Sequence, residues 1–261
     1  MNLNKIINIL NEECSLKKQE TWDNSGLQIG SMSSEITGIL LALDVTEEAV
    51  DAAIAKGSNL ILTHHPFFFD DIKNIDLNSY RGKIVKKSIL NDINIFSLHT
   101  SLDLADYGVT SSLAKELEID NFEILSIEGK DGDKAYGYGG IANIQEIMLD
   151  KFADQVKYNL DCKCIKIYTS NRSAIINKVA FCGGSGDEFI DDAIAKGADL
   201  YITGDIKYHK AQYALQKGLN IIDAGHFYTE CSVLKLLNDV LIDNNLSAYM
   251  FTQNFVKELY I

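Results

Sequence analysis

The chain has 261 residues, 46% of them hydrophobic and 23% charged, enough apolar material for one large core or two smaller lobes. Its 24 Lys+Arg against 37 Asp+Glu give a formal net charge of −13, and no stretch concentrates Lys and Arg enough to reverse that field locally. A surface of this sign repels phosphate backbones, which argues against nucleic acid as a partner.

The first residues, "MNLNKIINIL", place Leu3, Ile6, Ile7 and Leu10 on one face of an amphipathic helix. They lack the apolar centre and small-residue cleavage site of a signal peptide. No apolar run approaches the roughly 18 residues of a membrane span, so a cytoplasmic protein with no membrane contact is expected. The cysteines, Cys14, Cys162, Cys164, Cys182 and Cys231, form no C-x-x-C pair and no framework spacing. They read as reduced, mostly buried thiols, and suggest neither a zinc ribbon nor a disulfide scaffold.

After a turn at "TWDNSGLQIG", which holds the single tryptophan, short apolar runs alternate with helical patterns. "ITGILLALDV" reads as a strand, "EEAVDAAIAKG" as a helix closed by Gly57, and "SNLILTHH" and "INIFSLHT" as further strands. Strands buried on both faces read as continuous apolar runs, so the predicted class is α/β with parallel units.

Residues 51–63, "DAAIAKGSNLILT", align without gaps on residues 191–203, "DDAIAKGADLYIT", with eight of thirteen identical at an offset of 140. Each copy follows an apolar strand, "ITGILLALD" or "INKVAFCGG", and runs into a strand whose next residues differ: His64-His65 in the first, Gly204-Asp205 in the second. Further on, each half places a histidine after an apolar strand with an acid four residues later, His99 and Asp103 in "INIFSLHTSLD" and His226 and Glu230 in "LNIIDAGHFYTE". Two related α/β lobes are therefore expected, an internal duplication facing a metal-binding cleft, at residues 1–125 and 126–261, with the C-terminal segment free to pack back on the first. The Gly-, Asp- and Lys-rich segment 128–145 is expected to carry the crossing between them.

Loops at the carboxyl ends of parallel strands line ligand crevices, and His64, His65, His99, Asp103, His226 and Glu230 all fall at such ends. Four imidazoles and two carboxylates without a thiolate suit Zn, Fe, Mn, Co or Ni, and six donors suit two divalent ions about 3.5–4 Å apart. An isolated His-His pair is usually a surface pair; what favours metal is that all five histidines lie just beyond apolar strand-like segments and that the pattern of a histidine with an acid four residues later recurs in both halves of a duplicated chain. A histidine and an acid at i and i+4 share one face if the turn after the strand is helical. The fifth histidine, His209 in "TGDIKYHKAQYA", follows Asp205 by four residues and is a candidate proton shuttle. The "GGSG" of residues 183–186 reads as a tight strand-to-helix turn more readily than as an anion cradle, since Asp187 and Glu188 follow it.

The stretches "WDNSGLQIG", "LTHHPFFF", "HTSLD", "VAFCGGSG", "GADLYITGDIKYH" and "DAGHFYTE", in this order, resemble the Nif3-like dinuclear-metal-centre family labelled GTP cyclohydrolase 1 type 2 homologues. The resemblance implies two α/β lobes, a toroidal homohexamer and two divalent metal ions per chain, with ligands at His64, His65, Asp103, His226 and Glu230. His99 is then a further ligand or a near neighbour, and His99 with His209 are the candidates for catalytic proton transfer. It also implies a metal-dependent hydrolase acting on a nucleotide or phosphoester. The alternative is a non-catalytic hexamer that stores or delivers metal or serves as a scaffold. The sequence departs from the family at "YGYGGIA", where Gly140 stands in place of the usual arginine.

Overall fold

The structure is a computed structural model describing residues 1–256. It divides into two compact units, one formed by Met1–Leu102 with the described residues from Leu234 onward, the other by Asp103–Val233. The chain therefore leaves the first unit after Leu102 and returns to it at Leu234.

The first unit opens with α1 (Leu3–Glu13), whose Leu3, Ile6, Ile7 and Leu10 are buried and whose start is capped by Asn2. There follow β1 (Gly26–Ile29), β2 (Ile39–Ala42), α2 (Glu47–Lys56), β3 (Leu60–Thr63), α3 (Tyr80–Leu90), β4 (Asn94–Ser97) and the short α4 (His99–Asp103). Thr46 caps α2 by accepting from the Ala49 amide at 3.1 Å, and Gly57, at φ 68°, ends it. The sheet has the order β1-β4-β3-β2-β11, where β11 (Ala248–Phe251) arrives from the far end of the chain. β4, β3, β2 and β11 run parallel, with β1 antiparallel at the edge. All four residues of each of β2, β3 and β4 are buried, as strands covered on both faces require. Leu40, Ile61 and Ile95 pack with Val50 and Ala53 of α2 and Ile84 of α3 into one core.

The second unit contains α5 (Val109–Glu116), β5 (Glu123–Asp131), β6 (Lys134–Met148), α6 (Leu149–Asn159), β7 (Lys166–Tyr168), β8 (Ile175–Ser185), α7 (Ile190–Ala195), β9 (Leu200–Gly204), α8 (Tyr208–Gln216), β10 (Asn220–Asp223) and α9 (His226–Glu230). α10 (Ser232–Asp243) then carries the chain back toward β11. The sheet order is β5-β6-β8-β9-β10-β7, with β8, β9 and β10 parallel. Alternate residues of the parallel strands enter two cores: Phe181, Leu200, Ile202 and Ile222 pack with α5 and α6, while Ala180, Tyr201 and Ile221 pack with α7 and α8. Among the described residues no helix is long and apolar enough to cross a membrane.

Segment 128–145 corrects an expectation. It lies within the β5-β6 hairpin rather than in a crossing, and the chain changes units at Leu102 and again at Val233. Glycine-rich composition reads as a loop, yet here the glycines serve close packing: a Cβ on Gly140 would run into the rings of Phe181 and Phe122.

Candidate metal centre

In the first unit, β3 ends at Thr63 and the chain continues through His64 and His65. The Thr63 hydroxyl donates to the His65 carbonyl at 2.8 Å, the Ser97 hydroxyl donates to the same oxygen at 3.1 Å, and the His65 amide donates to the Leu43 carbonyl at 2.9 Å. These bonds hold the two histidines at the strand end. His64 is fully buried, and its ring centroid lies 4.8 Å from that of His65 and 5.4 Å from that of His99. The His65 and His99 rings are 5.8 Å apart, so three imidazoles form one cluster.

Two of these rings are aimed by carboxylates. His65 Nδ1 lies 2.8 Å from Asp44, just beyond β2, and His99 Nδ1 lies 2.7 Å from Asp23. A carboxylate only accepts, so it holds the proton on Nδ1 and leaves the Nε2 lone pair for a cation. Asp23 also accepts from the Thr100 hydroxyl at 2.6 Å, the Thr100 amide at 3.1 Å and the Ser25 hydroxyl. Burial disfavours its charge, but the hydrogen bonds from His99, Ser25 and Thr100 and the charge of His99 outweigh burial and hold the carboxyl well below the usual carboxylate range. Asp103 stands one helical turn after His99 at the end of α4.

In the second unit, α9 begins at His226 and ends at Glu230, the same five-residue span as α4. Both histidine-acid pairs thus sit on single helical turns, which puts the two side chains on one face. Gly225, at φ 89°, makes the bend from β10 into α9. His226 Nδ1 lies 2.8 Å from Asp205, and its Nε2 lies 3.1 Å from the buried carboxylate of Glu230. Asp205 adopts a left-handed φ of 57°, a conformation that costs a non-glycine residue about 1–2 kcal/mol and that aspartate tolerates better than most. A Cβ on Gly184 would fall on the Glu230 carboxylate and 3.3 Å from His226 Nε2, so the bare backbone there leaves room for the pair.

These donors suit a divalent cation of intermediate softness: imidazole nitrogens with fixed tautomers, carboxylates, and no available thiolate. Burial, followed by the negative charges of Asp103 and Glu230, pushes the Cys182 thiol far up, so it stays protonated beside them.

The remaining candidates fall elsewhere. His209 is exposed at the start of α8, its ring 5.2 Å from that of Tyr208, and Asp205, which spacing pairs with His209, turns to His226 instead. The Gly184 and Gly186 amides donate to the Thr229 and Thr203 hydroxyls, each at 3.0 Å, so the "GGSG" turn spends on threonines the amides that an anion would need. Sequence reasoning passed over Asp23, Asp44 and, in its real role, Asp205. The one available signal is that Asp44 and Asp205 each stand just past the end of a buried strand.

Two sheets covered by helices, together with histidine and carboxylate side chains that could hold a metal ion, define the class of this protein. The model of the Duf34/NIF3 (NGG1p interacting factor 3) family matches residues 1–257. A Clostridium perfringens relative named "GTP cyclohydrolase 1 type 2 homolog" is 37% identical over 235 residues, 90% of this chain and 88% of the relative. Crystal structures of a Staphylococcus aureus protein and of a Bacillus cereus protein related to NIF3 superpose with TM-scores of 0.91 and 0.88 at 29% and 26% identity, each over 100% of this chain and 99% of the other. The chain belongs to the Duf34/NIF3 family.

Proposed function

We propose that the protein is a metal-dependent hydrolase that binds two divalent ions per chain through His64, His65, Asp103, His226 and Glu230 and acts on a nucleotide or another phosphoester. The observation that carries this reading is the threefold use of one device: His65, His99 and His226 each have Nδ1 held by an aspartate at 2.7–2.8 Å, which presents Nε2 as a donor. The name of the relatives, GTP cyclohydrolase 1 type 2 homolog, supports a nucleotide as the substrate class. The resemblance also supports assembly into a toroidal homohexamer.

Divalent ions, when bound, supply an activated water and a polarised electrophile. The chain's own residues do the rest. Asp44, Asp23 and Asp205 keep their imidazoles in one tautomer and one orientation. The Thr63 and Ser97 hydroxyls fix the backbone that carries His64 and His65. Glu230, which meets His226 Nε2 directly, would hold a cation together with it. His99, anchored through Nδ1 to a carboxylate that stays ionised, is placed to accept and return a proton at Nε2. His209, exposed on α8, is open to solvent.

The test is a screen of nucleotides and phosphoesters with Mn, Zn or Fe supplied, run beside Asp103→Ala. Turnover should fall by about 100-fold or more in the variant. Activity that survives the substitution belongs to a contaminant, and full metal loading without any turnover assigns the protein to metal storage or delivery instead. Elemental analysis of protein purified without added metal should give about two ions per chain.

A further inference from the structure

Beside the imidazole cluster of the first unit, two large aromatic side chains lie in the open. Trp22, the chain's only tryptophan, is 65% exposed, and Phe69 is 49% exposed. Both approach the same ring: Trp22 lies 5.9 Å from His99 at an interplanar angle of 80°, and Phe69 lies 5.5 Å from it at 88°. An indole left bare forgoes one of the largest hydrophobic gains a side chain can make, so core packing does not account for its position.

Neither ring hangs from an isolated loop. Asn24 Nδ2 donates to the Phe68 carbonyl at 2.6 Å, and the Phe68 amide donates to Gln28 Oε1 at 3.0 Å, which ties the segment after Trp22 to the residue before Phe69. Asp23, next to Trp22, is bound to His99 and Thr100. The Asp23 that aims His99 therefore adjoins Trp22, and the bonds of Asn24 and Gln28 to Phe68 place Phe69 beside the same imidazole.

We propose that Trp22 and Phe69 form a stacking site for a planar heteroaromatic ring, the purine base of a nucleotide, whose edge is thereby held beside His99. Every base offers a π-face to an aromatic side chain, and a purine matches the two-ring face of an indole. This deepens the hydrolase reading, on which it rests for the choice of ligand, and names the residues that would select a base over a simple phosphoester.

The lone tryptophan makes the test direct. Guanosine monophosphate added to the protein as purified should quench its fluorescence, while ribose 5-phosphate, which has the phosphate but no base, should not. Phe69→Leu, followed by fluorescence, and Trp22→Leu, followed by calorimetry, should each weaken guanosine monophosphate binding about tenfold with bound metal unchanged. Equal binding of the two ligands, no quenching, or unchanged affinity in both variants overturns the proposal, as does a loss of metal in either variant, which would make the ring a prop of the metal donors. Elemental analysis separates the two readings: two ions without quenching removes the stacking site alone, and quenching without metal removes the metal centre alone. Because both rings are largely in solvent, unchanged thermal melting is expected and serves as the folding control.

Discussion

The two copies of the internal repeat build the same strand and deliver opposite chemistry. β3 runs into His64 and His65, which are themselves candidate ligands; β9 runs into Gly204 and Asp205, and the aspartate orients His226, a ligand that comes from the next strand end. The position matching Asp44, which aims His65, is Gly184, whose missing side chain makes room for Glu230. The end of a buried parallel strand is thus a fixed delivery point. Which residue stands there decides whether it supplies a donor, steers one, or gets out of the way.

The sharpest way to break this comparison is to substitute the two matched positions. Gly184→Ala should lower metal affinity by about 100-fold or more, beyond the usual range for groups behind the ligands, because it displaces Glu230 itself. Asp44→Ala, at the matching place, should cost about 10- to 100-fold, since it only frees His65 to reorient. Equal losses measured by metal titration would mean that the two positions do not differ in kind. A smaller contrast is expected between Asp205→Asn and Asp44→Asn, each about tenfold if the aspartates act in the same way on their imidazoles.

The matched threonines sharpen the comparison further. Thr203 accepts from the Gly186 amide at 3.0 Å and donates to the Gly184 carbonyl at 3.1 Å, so Thr203→Val strands a buried amide and should cost about 1–3 kcal/mol in denaturant unfolding. Thr63→Val leaves the His65 carbonyl its bond from Ser97 and should cost about 0.5–1.5 kcal/mol. The smallest effect concerns Cys182, which occupies the place of Ala42. Its thiol is pushed far up by burial, and the Cys14 and Cys231 thiols are pushed up to about 11, also chiefly by burial. Raised pKa values mean little thiolate at pH 8, so alkylation of these three should be slow in the native protein, quicken as pH rises, and become complete on unfolding. Rapid native labelling of Cys182 at pH 8 would contradict its burial beside Asp103 and Glu230.

Much of this architecture could be read from the chain. Continuous apolar runs marked β2, β3 and β4, the repeat marked their counterparts in the second unit, and a histidine four residues before an acid marked α4 and α9. The β5-β6 hairpin escaped because its glycines, which pack against backbone and aromatic rings, look like turn residues in isolation. The orienting aspartates escaped for another reason. Asp23 lies 76 residues from His99, and Asp44 and Asp205 lie 21 from their histidines, so no local spacing joins them. His209 shows the converse: it stands four residues after Asp205, whose carboxylate meets His226 instead.

One feature of the chain path reaches beyond the site. β2 pairs in parallel with β11, more than 200 residues later, and every residue of β2 is apolar and buried. Until the ribosome has released residue 251, the first sheet must wait with β2 as an open edge, although its other central strands were made long before. A ribosome stalled before residue 251 would leave behind a nascent chain whose earliest-made sheet still offers an apolar open edge to its neighbours.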